Sequence, residues 1–183
     1  YQTDSLSLAG DFFRTTQFRF NVLSAAEVSF LKAEATLFGL TGGGDAQSLF
    51  ADGIQNAMKM YNISQADINT FLATPAGILS GTNEEKLKQI IDQKFIALIF
   101  QGDEACAEYR RTGYPLVWIG NNDIDTGGGI PRRLTYPFQE YLINEASVTE
   151  AAGKLQGGDK LTSKMWWDAK PGLPYQHPRQ GIF

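Results

Sequence analysis

Apolar residues recur at helical spacing in successive stretches over the first two thirds of the chain, and that order is lost after Pro115. Between Ser24 and Leu40, one stripe is made by Phe30, Ala33, Leu37 and Leu40 and a second by Val28, Leu31, Ala35 and Phe38. Two stripes predict a helix packed on two sides. Ser24 with Glu27 three residues on has the form of a capping box, and Gly39 with Gly42, Gly43 and Gly44 ends the helix. Asp45 then caps a helix with Phe50, Ile54, Ala57, Met58 and Tyr61 on one face. Small residues (Ala33, Ala35, Gly53, Ala57) stand where the two helices would cross, which predicts an antiparallel hairpin. Such hairpins stack into tetratricopeptide-like solenoids, although the Trp, Gly-Tyr and terminal Pro of that repeat's consensus are missing. Ser64 caps a third, short helix to about Thr74, and residues 75–81 form a turn-rich connection.

The fourth stretch runs from Thr82 to Pro115. Thr82 and Glu85 make a capping box, and Leu87, Ile90, Ile91, Phe95, Leu98 and Ile99 follow at helical spacing. From Phe95 to Phe100 the chain is apolar on every side, which predicts burial, with Phe95, Leu98 and Ile99 facing one layer and Ile96 and Phe100 another. Ala105, Cys106 and Tyr109 continue the face until Gly113 and Pro115 stop it. Continuous from Glu84 to Arg111, this helix would be about 42 Å long.

Beyond it the pattern predicts little regular structure. Leu116 to Ile119 reads as a short strand, residues 120–129 as loop, and Glu145 to about Leu155 as a short helix capped by Asn144. The tail from Thr162 reads as extended coil on the body, and the first 21 residues as loop with at most one strand at Phe18-Arg19-Phe20. The predicted fold is mainly α: tetratricopeptide-like helix pairs with a loop-rich irregular region packed on them. Residues 1–183 form a single domain or part of one, divided into a helical scaffold (24–111) and an aromatic-rich irregular region (112–183).

A chain of 183 residues, 43% apolar and 20% charged, suffices for one sizeable core. A net charge of −4 argues against nucleic acid, which calls for a basic stripe. The longest apolar run is six residues, far short of a membrane span. There is neither an initiator Met nor a signal peptide, which points to a fragment or a processed chain. The single cysteine, Cys106, has no internal partner and reads as a small buried hydrophobe.

Candidate chemistry is sparse. A nucleophilic triad needs a His, and His177 sits alone in a Pro-rich tail. One His and one Cys cannot furnish a transition-metal site, and neither triple-glycine run continues into a P-loop, so no cofactor is expected. Asp123-x-Asp125-x-Gly127 resembles the front of a calcium loop, but Leu134 occupies the position of the closing carboxylate. Glu104 and Glu108 share a helix face and suit ion pairs with Arg110 and Arg111 better than acid–base work. Aromatic residues crowd the irregular part, where flat rings with polar handles can stack on sugars or bind peptides. Tyr114, Trp118 and Tyr136 are the ligand-binding candidates, against the alternative that such rings fill the core.

Four phrases in order are more specific: AEVSFLKAEATLFGL (26–40), QKFIALIFQGDEACAEYRRTGYP (93–115), IPRRLTYPFQEYLIN (130–144) and GGDKLTSKMWWD (157–168). Together they resemble the C-terminal half of a SusD/RagB-family outer-membrane nutrient-binding lipoprotein. The resemblance implies a helical tetratricopeptide-like fold, a lipid anchor outside this chain, and a place on the cell-surface side of the bacterial outer membrane. It also implies a non-enzymatic role, delivering an oligosaccharide, or a peptide in some members, to a SusC-type TonB-dependent transporter. Without the family, the hairpins alone suggest a helical-repeat module binding peptide or protein. A glycoside-processing enzyme ranks last, for want of a poised carboxylate pair. No motif in these phrases marks ligand contacts. AEYRRTGYP and MWWD read as fold elements in which Arg, Tyr and Trp lock helix ends to the coil, so that Trp166→Ala or Trp167→Ala would cost about 3 to 5 kcal/mol.

Overall fold

The computed structural model describes residues 10, 13–16, 21–40, 44–117, 129–175 and 177. The described residues are mainly helical: α1 (Ala25–Leu37), α2 (Ala46–Met60), α3 (Gln65–Leu72), α4 (Asn83–Ala97), α5 (Gly102–Thr112), α6 (Phe138–Ile143) and α7 (Glu145–Gly153), with a 3-10 turn at Pro75–Gly77.

The caps read from sequence start the first four helices. Ser24 Oγ accepts from the Glu27 N–H at 3.0 Å, the Asp45 carboxylate from Gln47 and Ser48, and Ser64 Oγ from Asp67. Thr82 and Glu85 exchange both bonds of a capping box. Each cap satisfies N–H groups that the first helical turn would otherwise leave unpaired.

α1 and α2 form the hairpin, and α4 packs across both. Ala26, Phe30, Ala33, Phe50, Ile54, Ile90 and Ala97 are the shared core, with Leu37, Ala57 and Met58 at its margin. Gly53 sets how closely the hairpin closes, because a Cβ there would stand 2.6 Å from the Phe30 ring. α1 buries mainly its first stripe; Leu31 and Phe38 of the second, and Leu40 of the first, are exposed.

The long helix is broken. α4 ends at Ala97, Phe100 takes a left-handed backbone (φ 67), and α5 restarts at Gly102. The turn is closed by Gln101 N–H donating to the Leu98 carbonyl at 2.8 Å, and the Phe13 ring lies 4.9 Å from that of Phe100. A left-handed conformation costs a non-glycine residue about 1 to 2 kcal/mol, so this break is held by its surroundings. The predicted all-round burial fails with the helix. Ala97 and Leu98 are buried, whereas Phe95, Ile96 (63%), Ile99 and Phe100 are exposed, and Cys106 is exposed on α5.

An ionic cluster with a buried centre and an exposed rim at Arg111 joins α1, α4 and α5. Lys94, 1% exposed, contacts Glu108 at 3.2 Å, and Arg111 forks onto Glu34 at 2.6 and 2.7 Å while also holding Glu108 at 2.8 Å. Burial pushes the Glu108 carboxyl up, but Arg111 and Lys94 outweigh it and the net shift is downward. Glu27 moves the other way: burial raises it, aided by Glu104 and Glu108 and opposed by Lys94.

Leu116 and Val117 form no strand, and Trp118, Ile119 and residues 17–20 lie outside the described residues. The helix α6, which the pattern did not predict, precedes α7. Asn144 therefore closes one helix as it opens the next, and its side chain makes no cap bond.

Candidate functional site

The irregular region is built on two ionic pins. The guanidinium of Arg132 is 1% exposed, and its Nε and Nη2 donate to the two carboxylate oxygens of Asp168, each at 2.6 Å. Arg132 Nη2 also donates to the Arg110 carbonyl at the end of α5, and Arg110 Nη1 returns a bond to the Arg132 carbonyl. The fork ties the helical scaffold to the loop carrying Met165, Trp166 and Trp167, with geometry that suits a buried Arg–carboxylate pair. In the second pin Asp159 accepts from Arg133, from Tyr141 Oη at 2.8 Å and from the Tyr136 N–H at 3.2 Å. Burial would raise the Asp159 carboxyl, but these donors outweigh it and hold it low.

Between the pins lies a groove of about 560 Å³. It is lined by Ala151 of α7, by Lys154 and Leu155 just beyond that helix, by Lys164, Met165 and Trp166 of the following loop, and by Tyr136 and Asp168. Gln156 and Lys164 face each other across an antiparallel bridge, which puts their side chains on the same side of the backbone. Trp166 is 89% exposed. An exposed indole on a concave, partly apolar surface with a few polar groups has the shape and chemistry to stack on a sugar ring or a planar group. Asp168, the carboxylate among the lining residues, is engaged through both oxygens by Arg132.

A smaller hollow of about 250 Å³ lies at the α4–α5 break, lined by Asn21, Val22, Phe100, Gln101, Asp103 and Glu104. Glu104 lines this hollow, whereas Glu108, one turn on along α5, is held by Lys94 and Arg111.

A family model described as "Starch-binding associating with outer membrane", SusD-like, matches residues 2–137. The chain belongs to the SusD-like family. A chitin-binding protein of known structure is 35% identical to it, with a TM-score of 0.70, and the match covers 82% of this chain and 34% of that one. A SusD homologue from Bacteroides uniformis is 32% identical (TM-score 0.68, 80% and 36% covered). A chitin-binding SusD homologue from Flavobacterium johnsoniae is 31% identical (TM-score 0.66, 81% and 36% covered). The chain therefore spans about a third of the length of these relatives. No curated protein matches it. Among the described residues no helix is long and apolar enough to cross a membrane.

In this SusD-like chain the sequence candidates separate. Tyr136 lies in the groove. Tyr114 does not: it is buried against α4, its hydroxyl donates to Glu84 Oε1 at 3.0 Å, and burial followed by that carboxylate raises its pKa. Tyr175 and Lys170 reach the same oxygen, at 3.2 and 2.9 Å, so this cluster fastens the tail. Trp118, Asp123 and Asp125 lie outside the described residues. The expectation for MWWD divides as well. Asp168 and Arg132 form the lock, whereas Trp166 is exposed and Trp167 is half exposed under the Arg110 guanidinium at 5.5 Å. Trp166 therefore buries too little to cost 3 to 5 kcal/mol on truncation. Only Tyr136 of the groove falls inside the family-matched span. The groove is assembled from α7 and the 164–169 loop, whose side chains show no common face in sequence.

Proposed function

We propose that this chain is part of a carbohydrate-binding protein of the bacterial outer membrane and that its groove beside Trp166 holds the glycan. The observation that carries the reading is the nearly fully exposed indole on the rim of a groove that also presents Tyr136, Gln156 and Lys154. An indole this exposed offers a flat apolar face on which a sugar ring can stack. The family's description as starch-binding, and the chitin-binding relatives, make a sugar the cover of choice. The protein would sit on the cell-surface side, held by a lipid anchor outside this chain, and pass its oligosaccharide to a SusC-type TonB-dependent transporter. It would do so without turnover, a reading supported by the engagement of Asp168 with Arg132.

A second reading, a helical module for a peptide or protein, is favoured by the exposed apolar side chains Val22, Ile96, Ile99 and Phe100 around the α4–α5 break. Titration calorimetry of the protein against maltooligosaccharides, chitooligosaccharides and peptides separates the two. Saturable sugar binding that Trp166→Ala abolishes supports the groove. Binding of peptides alone, unaffected by Trp166→Ala, sinks it.

A further inference from the structure

Taking the groove as the glycan site, we propose that it selects an acidic oligosaccharide, one whose sugar rings carry carboxylate groups as uronates do. Three observations converge. First, the lining offers an ammonium and an amide with no internal partner. Lys164 has no carboxylate partner among the described residues, and the antiparallel bridge sets Gln156 opposite it, so an ammonium and a side-chain amide share the face of the groove that Trp166 also lines. An ammonium and an amide on one side, with a ring beside them, match a pyranose that bears a carboxylate on its edge.

Second, among the described residues that line the groove no free carboxylate opposes an anion. Asp168 is neutralised by the two-point fork from Arg132. Asp159 is held by Arg133 and Tyr141. Glu150 lies outside the lining and reaches only Lys154, at 2.7 Å, in a pair whose side chains are both more than two-thirds exposed. A pair so exposed is weak and leaves Lys154 able to turn toward a ligand as a second cation. Third, the chain as a whole carries a net charge of −4, so a concave surface with one unpaired ammonium, Lys164, and a second, Lys154, in a weak exposed pair is a local exception. Against an acidic chain it provides attraction at a distance as well as a contact.

The test is calorimetric titration of the full chain with oligogalacturonate, with a sulfated oligosaccharide, and with neutral maltooligosaccharide and chitooligosaccharide of matched length. Oligogalacturonate is expected to bind about tenfold more tightly than the neutral chains, and the preference is expected to shrink as salt rises from about 0.05 M to about 0.5 M. Lys164→Met should bring the ratio of acidic to neutral affinity down to about one, and Lys164→Glu should invert it. Lys32→Met, which removes the same charge from α1, should leave the ratio as it is. Equal affinity for neutral and acidic chains, both lost in Trp166→Ala, would overturn the charge selection and keep the groove as a glycan site. The same holds if the preference survives Lys164→Met. A preference for the sulfated chain over the uronate would overturn the carboxylate assignment. If no glycan of either kind binds, the groove falls as a glycan site and the selection falls with it.

Discussion

The Arg132–Asp168 fork is the residue-scale feature on which the irregular region depends. Both side chains are almost wholly buried, so removing one partner strands a charge. Asp168→Asn is expected to cost about 3 to 5 kcal/mol, read from the urea midpoint, because breaking a buried pair leaves an uncompensated ion. The ionic cluster beneath α1 gives a prediction with a sign. Glu108 is held low, so its pairing stabilises the fold above the ordinary carboxylate pKa of about 4.3, and that contribution fades as pH falls through its lower folded value. Glu27 is held high, so its ionised form works against the fold at neutral pH, and the penalty disappears as acid protonates it. Urea titrations from roughly pH 3 to pH 7 should therefore find Glu108→Gln destabilised at neutral pH by about 3 kcal/mol, with a flatter acid limb. Glu27→Gln should be more stable than the parent at neutral pH and no different in acid. Little of this was legible in sequence. Arg132 and Asp168 are 36 residues apart, and nothing in either phrase says that one seeks the other. MWWD stood out for its indoles, yet the lock is in its aspartate.

At the scale of elements, the first four helices were legible because each announces itself locally, with a polar cap, a stripe at the right period and a stop. The hairpin of α1 and α2 rests on Gly53, whose missing side chain lets the Phe30 ring approach. Gly53→Ala should cost about 1 to 3 kcal/mol as an overpacking change, seen as a lower thermal midpoint, even though Ala is the better helix former. The break between α4 and α5 was not legible. Apolar spacing continues through it, and the left-handed turn at Phe100 is decided by tertiary contacts, the Phe13 ring among them. Helix α6 escaped notice for the opposite reason. It is short, follows Pro137, and has no buried residue, so it leaves no stripe to read.

At the scale of the whole molecule, the tail closes on the scaffold at the end of α5. Gly113 is left-handed (φ 84), and a Cβ there would meet Leu173 and Tyr175, while Lys170 reaches both Glu84 and the Thr112 carbonyl. Gly113→Ala thus combines backbone strain with displacement of the tail, and proteolysis should cut the variant near Leu173 sooner than the parent. The family was legible from four ordered phrases, and the mainly α fold with it. The groove was not, because its lining comes from α7 and a loop that meet through the Gln156–Lys164 bridge and the ionic pins, contacts with no signal in sequence. Tyr136 is the one sequence candidate that lines it, and the phrase MWWD reads in sequence as a fold element whose indoles could also stack on a sugar.

The central claim is that the exposed indole of Trp166 is a ligand platform and no part of the core. Calorimetry of Trp166→Ala alongside thermal unfolding tests it most directly. The variant is expected to keep a stability within about 0.5 kcal/mol of the parent and to bind oligosaccharide about tenfold or more weakly, the equivalent of ~1.4 kcal/mol. Unchanged sugar affinity, or a loss of several kcal/mol in stability, would contradict it.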